Sequence, residues 1–142
     1  MKKLVAALAV FALIAAVALL QWRRTHAPEH PLQGLATRMN QGLPKPYVDG
    51  LITDSVRIVG DNLVIDIRIP DIKLEALDPQ KIPLIRQQEQ AELMGFACND
   101  PELRPLLDEG KTKIGRRFVD QDRRLIFEIV VGKTDCPPGR PL

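Results

Sequence analysis

Past its first turns, the chain switches between two apolar rhythms, one helical and one that repeats every second residue. Leu32, Leu35, Ala36 and Met39 recur at helical spacing. They predict a short amphipathic helix over residues 32–42, with Gly42 at the position just past its end. Leu43-Pro44-Lys45-Pro46 then breaks to an extended segment. Residues 51–58 and 63–69 read as strands. In the second, Leu63, Ile65, Ile67 and Ile69 point one way and Asp66 and Arg68 the other. Gly60-Asp61-Asn62 supplies the turn, giving a hairpin with one buried and one wet face.

The second half repeats the scheme. Asp78-Pro79 can open a helix, with Asp as cap and Pro at the first position, and Pro83 delays its regular part. Ile82, Ile85, Glu89, Leu93 and Phe96 then form one stripe. Glu89 is its flaw, expected at the margin of the buried surface, with a site carboxylate as the alternative. Asn99-Asp100-Pro101 restarts a short helix through Leu103, Leu106 and Leu107, stopped by Gly110. Lys111–Val119 and Arg123–Val131 flank Asp120-Gln121-Asp122 as a second hairpin, with Leu125, Phe127, Ile129 and Val131 facing inward. The order helix, hairpin, helix pair, hairpin predicts an α+β fold: a four-stranded, mostly antiparallel sheet with helices on one face.

The initial segment adds a membrane. Met1-Lys2-Lys3 precedes an apolar run from Leu4 to Leu20, closed by Gln21-Trp22-Arg23-Arg24. As a helix the run spans about 26 Å at ~1.5 Å per residue, near the ~30 Å hydrocarbon core of a bilayer. Two membrane readings stand, an uncleaved anchor and a cleaved secretory signal; a buried helix of a soluble protein is the third. Cleavage after Ala16-Val17-Ala18 would leave Leu19-Leu20 on the mature end, and Pro28 disfavours cleavage after Ala27. Trp22 and the two arginines suit an interface, so the anchor through residues 4–22 is preferred. No cysteine sits just after the run to carry a lipid. The expected division is 1–24 anchor or signal, 25–31 linker, 32–136 domain and 137–142 tail.

Two cysteines, Cys98 and Cys136, both lie after this segment. An even pair in a small exported domain reads as a disulfide, with two separate buried thiols as the alternative. The bridge and the N-terminal lysines together place residues 25–142 outside the cytoplasm.

Charge narrows the partners. Setting Lys2, Lys3, Arg23 and Arg24 aside from 20 basic residues leaves 16 against 18 acidic ones. A nucleic-acid binder needs clustered positive charge, so none is expected. Aromatic residues are only 4 % of the chain, too few for stacking platforms or aromatic cages. His26 and His30 have a metal-compatible spacing, but Pro28 between them argues against a helix, and they read as solvated linker residues. The one local concentration of charge is Arg116, Arg117, Arg123 and Arg124 around the second hairpin's turn. They read as a solvated face partnered by Asp120, Asp122 and Glu128, or as a patch for an anionic partner.

One run is distinctive: Cys98-Asn99-Asp100-Pro101-Glu102-Leu103-Arg104-Pro105-Leu106-Leu107-Asp108-Glu109-Gly110, then a strand, Asp120-Gln121-Asp122, a strand and Asp135-Cys136. It resembles a group of small exported proteobacterial proteins that share a Cys-Asn-x-Pro run, a hairpin and a closing Asp-Cys. Asn40 and Leu43-Pro44 also resemble their helix ending, and the likeness spans roughly residues 35–136. It implies a fold and a disulfide, not a chemistry. The chain departs from it at Gly115, Arg116 and Arg117, where an aromatic-rich strand would stand. The architecture also resembles pilotin-like accessory proteins of secretion systems. The location these readings imply is the bacterial inner membrane with the domain in the periplasm, or the periplasm after cleavage.

Catalytic chemistry is poorly supplied. Past the linker there is no histidine, and Ser55 is the only serine. Nucleophilic catalysis lacks its base and zinc its ligands, and no phosphate loop or dinucleotide fingerprint occurs. No cofactor is expected, and a carboxylate hydrolase built on Asp100, Glu102, Asp108 and Glu109 is disfavoured because charged helix ends explain those residues. Two classes remain: a non-catalytic binding or assembly factor with a protein partner, and a small envelope inhibitor or stress-defence protein. An apolar groove between helix and sheet would favour the first, a stiff protruding turn at 120–124 the second.

Overall fold

A computed structural model describes residues 15–18, 21 and 30–138 of the 142. The chain divides into two compact units, residues 1–31 and 32–142. In the first, residues 15–18 and 21 are helical; the rest of the expected anchor lies outside the described residues. Among the described residues, no helix is long and apolar enough to cross a membrane.

The second unit runs α1 (Gln33–Asn40), β1 (Lys45–Pro46), β2 (Ile52–Val59), β3 (Asn62–Arg68), a 3₁₀ turn (Leu74–Ala76), α2 (Ile82–Asn99), α3 (Leu103–Asp108), β4 (Ile114–Val119), β5 (Leu125–Val131) and a closing 3₁₀ turn (Lys133–Asp135). The sheet has five strands rather than four, in the order β1-β2-β3-β4-β5. The addition is β1, a two-residue edge strand that pairs Lys45 with Thr53 and Pro46 with Ile52. Proline is tolerated there because an edge strand need not donate on both sides.

The sheet is mostly antiparallel, as expected, with three of its four strand pairings of that kind. Both hairpins form, but β3 and β4 run parallel, Leu63 opposite Ile114 through Arg68 opposite Val119. The cause is the connection: residues 69–113 carry α2 and α3, long enough to return the chain to the end at which β3 began. The Leu63 N–H donates to Lys113 O at 3.0 Å, and Asn62 Oδ1 accepts from the Lys113 N–H at 3.0 Å, so both strands start together.

Alternation in β3 holds, with Leu63, Ile65 and Ile67 buried on the helix side. They meet Leu93 and Ala97 of α2, Leu103 and Leu107 of α3, and Phe118, Ile129 and Val131 in one core. Phe118 and Phe127 stack across the β4–β5 pair with centroids 4.5 Å apart. Leu125, expected inward, is 45 % exposed. A bulge between Phe118 and Val119 turns this end of the hairpin.

Helix α2 starts at Ile82, not at Pro79. Asp78 Oδ1 accepts from the Gln80 N–H at 3.0 Å and so closes a preceding turn instead of capping the helix. Pro83 falls in the first turn, where its missing N–H costs nothing. Asp100 does cap α3, accepting from the Glu102 and Leu103 N–H groups at 2.8 and 2.9 Å. The bridge joins Cys98, at the end of α2, to Cys136, just past β5.

Candidate functional site

Helix α1 packs on β2 and α2 on β5, and an opening remains between the two helices beside the middle strands. Asn40 fixes one side of this opening. Its amide donates to Ala36 O at 2.8 Å and Val56 O at 2.7 Å, and its oxygen accepts from the Val56 N–H at 2.9 Å. The end of α1 is thereby tied to β2. Gly42 takes φ of 79°, a left-handed conformation suited to glycine, and lets the chain leave the helix toward β1.

The result is an open groove of about 240 Å³. Met39, Leu43, Val56, Ile65, Ile67 and Phe96 give it apolar walls, and Lys45, Tyr47, Thr53 and Arg116 complete the lining. The Lys45 side chain is exposed and makes no hydrogen bond or ion pair within the described chain.

A closed polar triad stands at the groove wall. Arg116 Nη1 donates to Tyr47 Oη at 2.8 Å and to Glu89 Oε2 at 3.1 Å. The Tyr47 hydroxyl donates to the same Glu89 oxygen at 3.1 Å. The guanidinium lies 5.4 Å from the centroid of the Tyr47 ring, within cation–π range. Side-chain exposure is only 11 % for Arg116 and 6 % for Glu89, so this is a buried pair. Burial raises the Glu89 pKa, against the opposing pull of Arg116 and the Tyr47 hydroxyl. Burial likewise pushes Tyr47 up to about 12; Arg116 opposes this and the Glu89 carboxylate adds to it.

Glu89 is therefore inside, not at the margin of the stripe where it was expected. The signal was available in strand parity: Ile114, Arg116 and Phe118 share one face of β4, and that face is the buried one. A buried arginine demands a carboxylate, and Glu89 is the carboxylate in an otherwise apolar stripe.

The four arginines do not converge. Arg116 and its neighbour Arg117 point to opposite faces of β4. Arg124 is tied to Asp120 at 2.7 Å and to Glu75. Asp120 is fully buried, which opposes its charge. Donation from the Arg124, Leu74 and Asp122 N–H groups and the Arg124 guanidinium outweighs burial and holds its pKa at about 2. Glu75 is held at about 2 by the same guanidinium. Only Arg117 and Arg123 are left together on the sheet's open face, with Arg57. Of the two linker histidines, His26 lies outside the described residues.

The chain matches no protein-family model and no curated protein. Among solved structures it is similar to a Pseudomonas aeruginosa protein described as secreted, at 16 % identity over 75 % of this chain and 89 % of that one, TM-score 0.60. It is also similar to the pilotin of the Vibrio vulnificus type 2 secretion system, at 19 % identity over 75 % of this chain and 88 % of that one, TM-score 0.54. The fold is pilotin-like. Identities this low establish the fold alone. Within this pilotin-like fold, the groove and its triad are defined by this chain's own residues.

Proposed function

We propose that the domain is a non-catalytic accessory factor of the bacterial envelope, whose groove holds an apolar, acid-bearing segment of a protein partner. The observation that carries this reading is the groove between α1 and α2, with apolar walls and the unpaired ammonium of Lys45 at its edge. Apolar side chains of a bound segment would fill the walls, and a carboxylate on it would meet Lys45. The shared fold with a secretion-system pilotin supports an accessory role. The inhibitor reading needs a protruding stiff turn. Here the 120–124 turn is drawn back onto the connector, with the Gln121 N–H donating to Ile72 O at 3.0 Å. A tether through residues 4–22, with the domain in the periplasm, completes the proposal and would raise the local concentration of the module at the membrane.

The test is a photocrosslinking residue placed in the full chain at Phe96 or Leu43, with Lys111, away from the groove, as control. The expected result is one protein adduct from both groove positions and none from Lys111. Its attachment site should be an apolar segment containing Asp or Glu. Lys45→Glu should reduce the adduct several-fold, and Lys in place of the partner's acid should restore it. Adducts to lipid acyl chains, or equal adducts from Lys111, would refute the reading.

A further inference from the structure

The face of the sheet away from the helices carries a second site, independent of the groove. Arg57, Arg117 and Arg123 line a pocket of about 260 Å³ there, with Asp54, Ser55, Asp66 and Val119. Two bulges frame it, one between Thr53 and Ser55 and one between Phe118 and Val119. The first leaves Asp54 without a cross-strand partner, so Asp54 and Ser55 share this face.

Hydrogen-bond accounting shows what the pocket can accept. Asp66 is held by Arg57 through Nε at 2.5 Å and Nη2 at 3.1 Å, and by the Ser55 hydroxyl at 3.0 Å. Asp54 is held by Arg68 through Nε at 2.8 Å and Nη2 at 3.0 Å. Both carboxylates thus already have two-pronged arginine partners. Arg117 and Arg123 approach the same carboxylates only at 3.6 and 3.8 Å, beyond hydrogen-bonding distance. Each guanidinium carries five N–H donors, and neither spends one on the described chain. Glu128 stands across the strands from Arg117, yet no ion pair forms between them.

Arg123 adds a separate observation. Its φ is 62°, a left-handed conformation that L-residues adopt at a cost and glycine adopts freely. Its side chain is 76 % exposed and lines the pocket. That conformation closes the Asp120–Arg124 turn, where the Arg123 N–H donates to Asp120 O at 2.9 Å, and the turn sets the guanidinium at the pocket.

We propose that this pocket binds a phosphate group, with Arg117 and Arg123 as its two forks and Arg57 as the flanking cation. A carboxylate is satisfied by one fork, as Asp54 and Asp66 already are. A phosphate has oxygens enough to engage two forks, one from β4 and one from the turn that follows it. The phosphate can belong to a lipid headgroup or be free in solution, and the chemistry at the arginines is the same.

The experiment uses the full chain in neutral detergent micelles and follows the arginine Nε–H signals by NMR. Inorganic phosphate is titrated in, with chloride at equal ionic strength as control; in a second arm, phosphatidylglycerol is added to the micelles. The expected result is a saturable shift of the Arg117 and Arg123 signals that chloride does not reproduce. Arg117→Gln with Arg123→Gln should weaken binding about tenfold per guanidinium and leave the melting temperature nearly unchanged. A response to both probes identifies free phosphate as sufficient; a response to phosphatidylglycerol alone identifies the headgroup. Silence of both signals in both arms, an equal response to chloride, or undiminished binding by the double variant would overturn the proposal.

Discussion

Removing one member of the Glu89–Arg116 pair should be far more damaging than removing both. In Glu89→Leu, the Arg116 guanidinium remains at 11 % side-chain exposure with only the Tyr47 hydroxyl and ring beside it. An uncompensated buried charge costs about 3–5 kcal/mol. At roughly 4 °C per kcal/mol for a domain of this size, that lowers the melting temperature by about 12–20 °C. In Arg116→Met, the Glu89 carboxylate loses its cation but can escape by taking a proton. Burial already raises its folded pKa above the unfolded value. Its contribution to stability is therefore complete below the ordinary carboxylate range and is lost as pH rises through the raised folded value. Arg116→Met should accordingly be markedly worse at pH 8 than at pH 5. The double variant, Glu89→Leu with Arg116→Met, should fall within about 1 kcal/mol of the parent, because both desolvation costs disappear together. Urea unfolding followed by far-ultraviolet circular dichroism at both pH values measures all three proteins. Single-variant losses below about 1 kcal/mol, or a double variant whose loss equals the sum of the singles, would refute the description of a buried, mutually dependent pair.

Three further outcomes follow from other contacts. Cys98→Ala should cost roughly 4 kcal/mol in the chain-entropy model, since the bridge closes a loop of 38 positions; thermal melts with and without reductant should converge on the same lowered value. Asp120→Asn should weaken the 120–124 turn at pH 5 and approach the parent as pH falls toward 2. Asp120 and Glu75 have folded pKa values depressed to about 2, so their contribution is present above the ordinary carboxylate range and lost as pH falls toward 2. Hydrogen exchange at the Leu74 and Arg124 amides between pH 5 and pH 2 reads this directly, and equal protection in parent and variant at pH 5 would contradict it. Asn40→Ala removes the two bonds that tie α1 to β2 and leaves Val56 with unsatisfied backbone groups, at a cost of about 1–3 kcal/mol by urea denaturation.

The elements were legible because their signals are local. Alternation through Leu63, Ile65 and Ile67 needs no knowledge of neighbours to mark a half-buried strand, and Gly60 and Gly110 mark turns by backbone conformation alone. The union of the two hairpins was not legible. Each buries the same face whether β3 meets β4 parallel or antiparallel, so the apolar pattern is blind to the choice; the 69–113 connection decides it. Strand β1 was missed because two residues, one a proline, carry no alternation. The bridge between Cys98 and Cys136 was readable because its chemistry requires a pair. The Glu89–Arg116–Tyr47 triad was hidden in two half-signals, an acid in an apolar stripe and an arginine at an inward strand position. Neither half points to the other without the fold that closes 27 positions of chain between them. The arginines near the second turn show the opposite failure: closeness in sequence suggested one patch, while strand alternation and the Asp120 clasp divided it.

The parallel join gives the domain a mechanical seam. All neighbouring strands are consecutive in the chain, but β3 and β4 alone are joined through a long detour instead of a short connection. On one side of the seam stand α1 and β1–β3, on the other α2, α3, β4 and β5. The triad crosses it, with Tyr47 on one side and Glu89 and Arg116 on the other. The groove crosses it too, since Met39, Leu43 and Ile67 face Phe96 and Arg116 over the join. A segment seated there would act as a splint. It would grip both halves at once, so the force needed to part β3 from β4 should rise when the groove is filled, and an accessory protein would become toughest while it holds its cargo.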